Sequence, residues 1–499
     1  MSVSTSRRAV LGAAIAAVTT AATARAASPQ ALQPLPPVKD PALHAARRLS
    51  YGATPALVAE LRRVGLPAWL DQQLTDQPDP NATLAALGAT TAPLPVAALE
   101  QVQAKARDVV RDLQVATFAR AVWADRQVYE LMVEFWTNHL SIAAEVPSVG
   151  VHKVLDDRDV IRPHALGSFS DLLVASSQSP AMLRYLSNAS SRGNKPNENY
   201  ARELLELHTV SVQGGYTHRD IHDAALALTG LTVDDNTGRF TFLPAWHATG
   251  KLRVLGWSDD NADASNGLAV ATSLLRYLAR HPQTAKHLAT KLIRRFVSDT
   301  PPNGLVASAA QVYLASDTAI APVLRHIVLS PEFAGSAGLK SQRPYEWFAS
   351  AVRLLALQQQ PAMAVNGGGV IETLGQLGQL PFGWHPPNGY PDLEAAWAST
   401  GPTLARWNTA QALVTGGLTA FKPLDVDALI GAPVPATVGA LVDRLVQRLL
   451  SSPARPALRT AVVDSTGRSA TAAIDQAAAR TLAPPLAALI LSAPEAQVR

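Results

Sequence analysis

Apolar residues recur every three or four positions along much of this 499-residue chain, and this spacing limits the possible folds more than any other feature of the sequence. The clearest example lies in residues 97–143. Its apolar positions include Leu113, Phe118, Val122, Val128, Leu131 and Phe135. Such spacing places side chains on one face of an α-helix. Aromatic residues, which strands favour, make up only 6% of the chain, so the sequence predicts a mainly α fold.

The same pattern predicts a series of shorter helices. They span residues 152–160, 168–177, 179–187, 198–210, 218–229, 269–280, 282–297, 304–315, 319–329 and 342–358. One segment has strand-like alternation instead, because residues 231–233 and 239–242 flank the turn-forming residues 235–238. Residues 251–255 are a third candidate strand. We therefore predict a large multi-helical domain with a small β-hairpin insertion near 231–256.

The N-terminus has the order of basic, apolar and small residues that is typical of a signal peptide. Arg7 and Arg8 precede an apolar run, and Ala24-Arg25-Ala26 fits a cleavage pattern of small residues. The arginine pair after Ser6 resembles the twin-arginine signal. An ordinary secretory signal with an incidental arginine pair is the alternative. We expect residues 1–26 to direct export, by the twin-arginine pathway, to the periplasm or the extracellular space.

The mature chain is predicted to have three parts. Residues 27–41 are rich in proline and predict a linker, residues 42–420 form the main helical domain, and residues 421–499 form a C-terminal helical segment packed on that domain. A length of 499 residues is compatible with this division, since domains usually have roughly 100–200 residues. No later apolar run reaches the roughly 20 residues that a membrane-spanning helix needs. We therefore expect no integral membrane segment after signal cleavage.

Composition excludes several classes of site. The chain has no cysteine, which rules out disulfides, thiolate catalysis and Cys-ligated metal centres. The net charge of +4 comes from scattered basic residues and not from a concentrated basic stripe, so we expect no nucleic-acid partner. No P-loop, dinucleotide-binding glycine pattern, nucleophile elbow or strict metalloprotease motif is present.

The predicted helix 198–210 is the strongest candidate for a functional site. This segment and its cap contain the polar residues Asn197, Glu198, Asn199, Arg202, Glu203, Glu206 and His208. Two carboxylates such as Glu203 and Glu206 can act as general acid and base when their surroundings separate their pKa values. The alternative is structural, because Arg202 lies four residues from both Glu198 and Glu206 and can form ion pairs along the helix.

Three other segments contain residues suited to a polar pocket. Trp136, Asn138 and His139 lie close together at a helix end, where the histidine can instead cap a carbonyl. His218 and His222 have the i,i+4 spacing of metal ligands, but Thr217 and Asp220 around them favour a helix start. The Gly/Pro-rich stretch 364–391, which precedes Trp397, is long for a passive connection. Its polar and aromatic residues, including Asn388, are typical of surfaces that stack on sugars, and the alternative is that they simply pack the loop.

The chain resembles a large bacterial family known as domain of unknown function 1800, from about Leu43 to the C-terminus. The resemblance rests on segments 48–55, 134–139, 197–208 with 214–217, 227–230, 247–251, 281–285 and 291–297, and on the Pro/Asn/Gly/Tyr-rich stretch before Trp397. It implies export and a mainly helical fold, but no established activity. The residues it stresses are Trp136, Asn138, His139, Asn197, Glu198, Asn199, Arg202, Glu203, Glu206, His208, His247, Lys251 and His281. The family often has Asp where this chain has Ala248, so any role of that Asp would be missing here.

We therefore expect an enzyme, a hydrolase or lyase acting on a polar polymer such as an envelope polysaccharide. The predicted catalytic residues are Glu203, Glu206, His208 and His139. The predicted substrate-binding residues are Trp136, Asn138, Asn197, Glu198, Asn199, Arg202, His247, Lys251, His281, Asn388 and Trp397. The alternatives are a metal- or haem-dependent oxidoreductase with His139, Glu203 and His208 as ligands, and a non-catalytic envelope binding or assembly protein. The sequence assigns no metal site, cofactor or oligomeric state.

Overall fold

Helices dominate the part of the chain that the computed structural model describes, which comprises residues 40–75, 106–146, 149–360, 363 and 367–499. The helices before the strands are α1 (Pro41–Arg48), α2 (Pro55–Val64), α3 (Leu66–Gln73), α4 (Ala106–Trp123), α5 (Gln127–His139), α6 (Gly150–Leu155), α7 (Arg162–His164), α8 (Phe169–Ser177), α9 (Pro180–Tyr185), α10 (Glu198–Glu203) and α11 (His218–Ala227). Two π-helical turns, Asp156–Ile161 and Leu204–His208, directly follow α6 and α10.

A second series of helices follows the strands. They are α12 (Gly267–Ala279), α13 (Pro282–Phe296), α14 (Asn303–Ala315), α15 (Ile320–Val328), α16 (Pro331–Ala334), α17 (Pro344–Leu354), α18 (Val370–Gln376), α19 (Thr400–Thr415), α20 (Val426–Ile430), α21 (Val438–Leu450), α22 (Pro456–Asp464) and α23 (Gln476–Ser492). The predicted mainly α fold is confirmed.

The predicted β-hairpin insertion is also confirmed. Strands β1 (Leu231–Val233) and β2 (Phe240–Phe242) pair antiparallel, with Thr232 opposite Thr241. The third predicted strand, β3 (Leu252–Val254), pairs with β4 (Trp257–Asp259) in a separate two-stranded sheet. The insertion therefore consists of two hairpins, and its last strand ends slightly beyond the predicted boundary.

The long amphipathic segment predicted over 97–143 contains a break. Helix α4 ends at Trp123 and α5 begins at Gln127. The side chain of Gln127 donates hydrogen bonds to the carbonyls of Ala121 (3.2 Å) and Ala124 (2.7 Å). These bonds satisfy carbonyls at the end of α4 that lack partners in the helix, so they favour a chain reversal there. Residues 97–105 lie outside the described part of the chain.

Aromatic side chains fill the core between the two series of helices. Trp136 on α5 is fully buried, stacks on Phe169 of α8 with 5.5 Å between ring centroids, and donates its indole N–H to the carbonyl of Ala165 at 2.9 Å. Phe118 on α4 packs on Phe348 of α17 at 4.6 Å. Burying such large side chains is a major contribution to folding, and it fixes α5 against its neighbours.

Residues of the predicted C-terminal segment contact the main domain through polar as well as apolar groups. Trp347 of α17 donates its indole N–H to the carbonyl of Leu491 at 3.1 Å. Arg48 of α1 donates to the carbonyl of Arg499 at 3.0 Å, and Arg499 in turn contacts Glu346 at 2.8 Å. The boundary between residues 420 and 421 stays a prediction.

The predicted signal peptide and residues 27–39 of the predicted linker lie outside the described residues. The last two residues of that linker start α1 instead, because the carboxylate of Asp40 accepts the N–H groups of Ala42 (3.0 Å) and Leu43 (3.2 Å) and Pro41 follows it. This is a favourable N-terminal cap. No helix in the described residues is both long and apolar enough to cross a membrane.

Candidate functional site

The candidate segment starts as an α-helix and then widens. The side chain of Asn197 accepts the N–H of Asn199 at 3.0 Å and caps α10, as the sequence predicts. The next residues, Leu204–His208, form the π-helical turn and not a continuation of the predicted α-helix to residue 210. Single π-helical turns inside helices occur frequently at functional sites. The motif therefore has an unusual backbone at the position of its paired carboxylates.

Glu203, the last residue of α10, and Glu206 on the π-helical turn form a half-buried acidic face, which we name the carboxylate face. Burial, followed by the charge of Glu206, raises the pKa of Glu203 above its ordinary value. Glu206 instead accepts a hydrogen bond from the hydroxyl of Tyr216 at 3.4 Å. Burial, followed by the charge of Glu203, raises the pKa of Tyr185 to about 12, so this tyrosine lies within electrostatic reach of Glu203. The two carboxylates therefore have different surroundings, which suits separate acid and base roles.

A second set of residues surrounds His139 at the end of α5. Its Nε2 lies 3.1 Å from the carbonyl oxygen of His208, and its Nδ1 lies 2.8 Å from Nζ of Lys291 on α13. A carbonyl oxygen can only accept, so Nε2 bears the proton and Nδ1 accepts from the lysine. Burial and then Lys291 lower the pKa of His139 well below its usual range. His139 is therefore neutral, with one defined tautomer.

The backbone of the π-helical turn connects the carboxylate face to this second set. His287 on α13 lies one helical turn before Lys291, and its Nε2 is 3.2 Å from the carbonyl oxygen of Leu207. His139 and His287 thus contact consecutive carbonyls of the turn, and their ring centroids are 6.0 Å apart. Burial and then Lys291 also lower the pKa of His287 to about 4. The turn is anchored from two helices.

His208 has no access to solvent. Its side chain is fully buried, and neither ring nitrogen has a hydrogen-bond partner within the described ranges. Burial and then Lys291 lower the pKa of His208 to about 3, so its ring is neutral. Its ring lies against those of His139 and Tyr200, at 6.1 and 6.5 Å. These contacts give His208 a position behind the carboxylate face.

A cleft of about 270 Å³ opens beside His139. Helix α5 lines it with Glu134, Asn138 and His139, and α13 lines it with Lys291, Arg294 and Arg295. The segment 384–393, which we name the aromatic segment, closes the other side with Trp384, Asn388, Tyr390 and Asp392. Glu203 and Glu206 do not line this cleft. The predicted residues His139, Asn138 and Asn388 therefore share one cleft, while the carboxylate face lies outside it.

The aromatic segment is fixed to α5 by the backbone around Tyr390. The side chain of Asn138 accepts the N–H of Tyr390 at 2.7 Å and donates to its carbonyl at 2.8 Å. The ring of Tyr390 lies between Trp384 (4.8 Å) and Trp397 (5.9 Å). Trp384 also donates its indole N–H to Asn388 at 2.9 Å. Asn138 and Asn388 therefore line the cleft, and Trp397 packs on Tyr390 beside it, while their role in substrate binding stays a prediction.

Replacing Gly389 by Ala is expected to destabilise this wall. Gly389 has φ of +72°, and an added Cβ would lie 2.2 Å from the backbone oxygen of Asn138. Backbone must then move, so we expect the free energy of unfolding to fall by about 1–3 kcal/mol, as measured in urea. Gly375→Ala is the matched control, because nothing lies within 4 Å of its added Cβ and alanine favours a helix. Equal stability of the two variants would contradict the close approach of the segment to α5.

The other predicted binding residues are dispersed. His247 is buried in the hairpin region, where Nδ1 lies 2.8 Å from the carbonyl of Thr229 and Nε2 lies 2.9 Å from Oδ1 of Asn261. Lys251 is exposed and pairs with Asp260 at 3.4 Å. His281 caps α13 by accepting the N–H of Gln283 at 3.2 Å. The structure does not bring these three residues to the cleft, and their predicted role in binding stays a prediction.

Glu198 forms a polar cluster on the outer side of α10. It lies 3.5 Å from Arg202, 3.5 Å from His218 and 3.2 Å from His222. Thr217 and Asp220 form the capping box that starts α11, as their sequence favours. Among the described residues, no group of three or more His, Asp or Glu side chains has the geometry to bind a metal ion.

Sequence reasoning did not assign Lys291 and Arg294 to the site. Both lie on α13 and line the cleft, with Lys291 in direct contact with His139. Lys291 lies four residues after His287, and Arg294 lies three residues after Lys291, a spacing visible in the sequence that places all three near one face of a helix. Only the fold shows that this face meets His139, which is 152 residues distant in the chain.

Residues 44–498 match the family described as "Protein of unknown function (DUF1800)". This match covers nearly all of the described chain and includes both the carboxylate face and the cleft. No curated protein and no solved structure shows significant similarity.

Proposed function

Since this chain belongs to the DUF1800 family, whose description states no activity, we propose from the site itself that it is an exported enzyme, a hydrolase or lyase acting on a polar polymer such as an envelope polysaccharide. In this proposal Glu203 and Glu206 are the acid–base pair. The arginine pair at Arg7 and Arg8 supports export by the twin-arginine pathway.

The unequal surroundings of the two carboxylates are the observation on which the proposal rests. Burial and the charge of Glu206 raise the pKa of Glu203, which favours its protonated form as a general acid. Glu206 accepts a hydrogen bond from Tyr216 and is the base in this proposal. Both side chains are half-exposed, so a polymer can reach them without entering a deep pocket.

The aromatic segment supports a saccharide as substrate. Tyr185, beside Glu203, donates its hydroxyl to the carbonyl of His385, so this segment approaches the carboxylate face as well as the cleft. Trp384 and Tyr390 are half-buried and present large amphipathic rings. Aromatic rings with a polar edge bind apolar faces of a ligand while their polar atoms form hydrogen bonds.

Glu203→Gln is expected to lower turnover at least about 100-fold without unfolding the protein, because the amide cannot donate a proton as an acid. The assay follows two products from envelope polysaccharides: new reducing ends, which both reactions release, and the ultraviolet absorbance of an unsaturated sugar, which only elimination gives. Wild-type turnover should fall as pH rises through the raised pKa of Glu203, and that decline should be absent in Glu203→Gln.

Glu372→Gln is the matched control, since this exposed carboxylate has no partner within the described part of the chain and should not affect turnover. Circular dichroism and thermal unfolding verify that each variant is folded. Full activity of Glu203→Gln, or an unchanged pH profile, would refute the assigned acid.

A further inference from the structure

The charged groups of the cleft are unequally compensated. In the wall of the cleft, the buried guanidinium groups of Arg295 and Arg343 contact Glu134 at 3.3 and 2.7 Å, and both also contact Glu346. The carboxylate of Asp392 pairs with the buried Lys340 at 3.0 Å. The carboxylates that line the cleft, Glu134 and Asp392, are thus engaged by cations other than Lys291 and Arg294.

Lys291 and Arg294 have no carboxylate partner among the residues that the structure describes. Within the described ranges, the Lys291 ammonium group forms one hydrogen bond, to the neutral ring of His139. Arg294 donates through Nε to the carbonyl of Asp299 at 3.4 Å, and its two terminal nitrogens have no partner in the described residues. Both side chains are half-buried and line the cleft. Partly buried cations without counter-charge favour the binding of an anion.

We propose that Lys291 and Arg294 bind the carboxylate of an acidic sugar, so that the polymer recognised by this protein is a polyuronate. Arg294 offers a planar donor pair that fits a carboxylate, and Lys291 adds a point charge. Trp384 lines the opposite wall and stacks on the sugar ring, while Tyr390 supports Trp384 from behind. That the acidic sugar belongs to a polymer rests on the proposed function. The existence of the anion site rests on the cleft alone.

The aromatic segment favours an acidic sugar over inorganic phosphate, because the ring of Trp384 offers a stacking contact that phosphate cannot use. Binding by stacking together with one ion pair is therefore specific for an acidic ring.

Affinity for this carboxylate is expected to fall as pH rises through about 8. Burial, followed by Arg294, lowers the pKa of Lys291 to about 8, and Asp392 opposes this shift. The other groups facing Lys291 are His139 on α5, His287 on its own helix and His208 on the π-helical turn. All three have lowered pKa values and stay neutral above pH 7. Lys291 is thus the group whose charge changes in this range.

The test is calorimetric titration of the folded protein at pH 7 with a trisaccharide of galacturonic acid, the neutral trisaccharide of galactose and inorganic phosphate. We expect the acidic trisaccharide to bind more tightly than the other two. Arg294→Gln and Lys291→Met should each weaken its binding about 10-fold or more, as expected when a charge-assisted hydrogen bond is lost, and should leave neutral binding unchanged. Lys286→Gln, an exposed lysine on the same helix, is the matched control.

Three results would overturn the inference: equal binding of acidic and neutral trisaccharides, tighter binding of phosphate, or unaltered acidic binding in both variants. Glu203→Gln separates this inference from the proposed function, because it should retain the binding of the acidic trisaccharide. Binding of the acidic trisaccharide with no turnover of any polysaccharide, acidic or neutral, would refute the proposed function alone. Turnover restricted to neutral polysaccharides would refute the inference alone.

Discussion

Glu346→Gln should lower the free energy of unfolding by about 3–5 kcal/mol, the range expected when one partner of a buried ion pair is removed. Glu346 is 3% exposed and contacts three buried guanidinium groups, from Arg295, Arg343 and Arg499. Its second oxygen accepts the N–H of Arg343 at 2.9 Å. The amide preserves shape and one acceptor oxygen, so the loss reports mainly the missing charge. Urea unfolding followed by circular dichroism measures it.

The dependence of this loss on pH gives a second check. Although burial opposes it, Arg295, Arg499 and Arg343 lower the pKa of Glu346 well below its ordinary value of 4.5. A carboxyl whose pKa is lower in the folded state stabilises the protein above that ordinary value, and this contribution is lost as pH falls through the folded pKa. The difference between wild type and Glu346→Gln should therefore shrink in acid. A constant difference, or a loss no larger than that of the exposed Glu372→Gln, would contradict the role assigned to the charge.

Much of the fold follows from local sequence signals. The Thr217/Asp220 pair starts α11 as predicted, and the Thr54-Pro55 pair starts α2 by an equally local signal, because side chains or a fixed φ satisfy the first turn. The break after α4 was missed, since it depends on a glutamine that bonds backward to carbonyls and leaves the apolar spacing nearly continuous. Apolar periodicity likewise cannot distinguish one π-helical turn from an α-helical turn.

The site was only partly predictable for a different reason. Residues 197–208 were recognisable because several polar groups lie within one helix of an Ala/Leu-rich chain. The residues that contact that helix come from distant parts of the sequence. Contacts between distant segments leave no periodic pattern in the sequence from which they could be predicted. His139 and His247 were both expected nearby; His139 contacts the turn, whereas His247 bonds Thr229 and Asn261 in the hairpin region. Lys291 became a candidate only through its contact with His139.

Lys153→Met is expected to cost about 3–5 kcal/mol, because it leaves a buried carboxylate without its cation. Lys153 is 0% and Asp156 2% exposed, and Nζ lies 2.5 Å from Oδ2 of Asp156. Oδ1 of Asp156 accepts the hydroxyl of Ser179 at 2.7 Å, directly before α9, which ends at Tyr185 beside Glu203. The pair therefore helps to position one wall of the carboxylate face.

The double variant Lys153→Met/Asp156→Asn distinguishes the cost of an unpaired charge from the value of the ion pair. It removes both charges and keeps an acceptor for Ser179, so it should recover most of the stability that Lys153→Met loses. The coupling between the two substitutions, from urea unfolding of both single variants and the double variant, should be about 2 kcal/mol or more. If the losses of unfolding free energy in the two single variants simply add in the double variant, the charge of Asp156 does not depend on Lys153 for its stabilisation. Arg158→Met, whose guanidinium pairs with Asp159 on the surface at 2.6 Å, is the control and should change stability by less than about 1 kcal/mol.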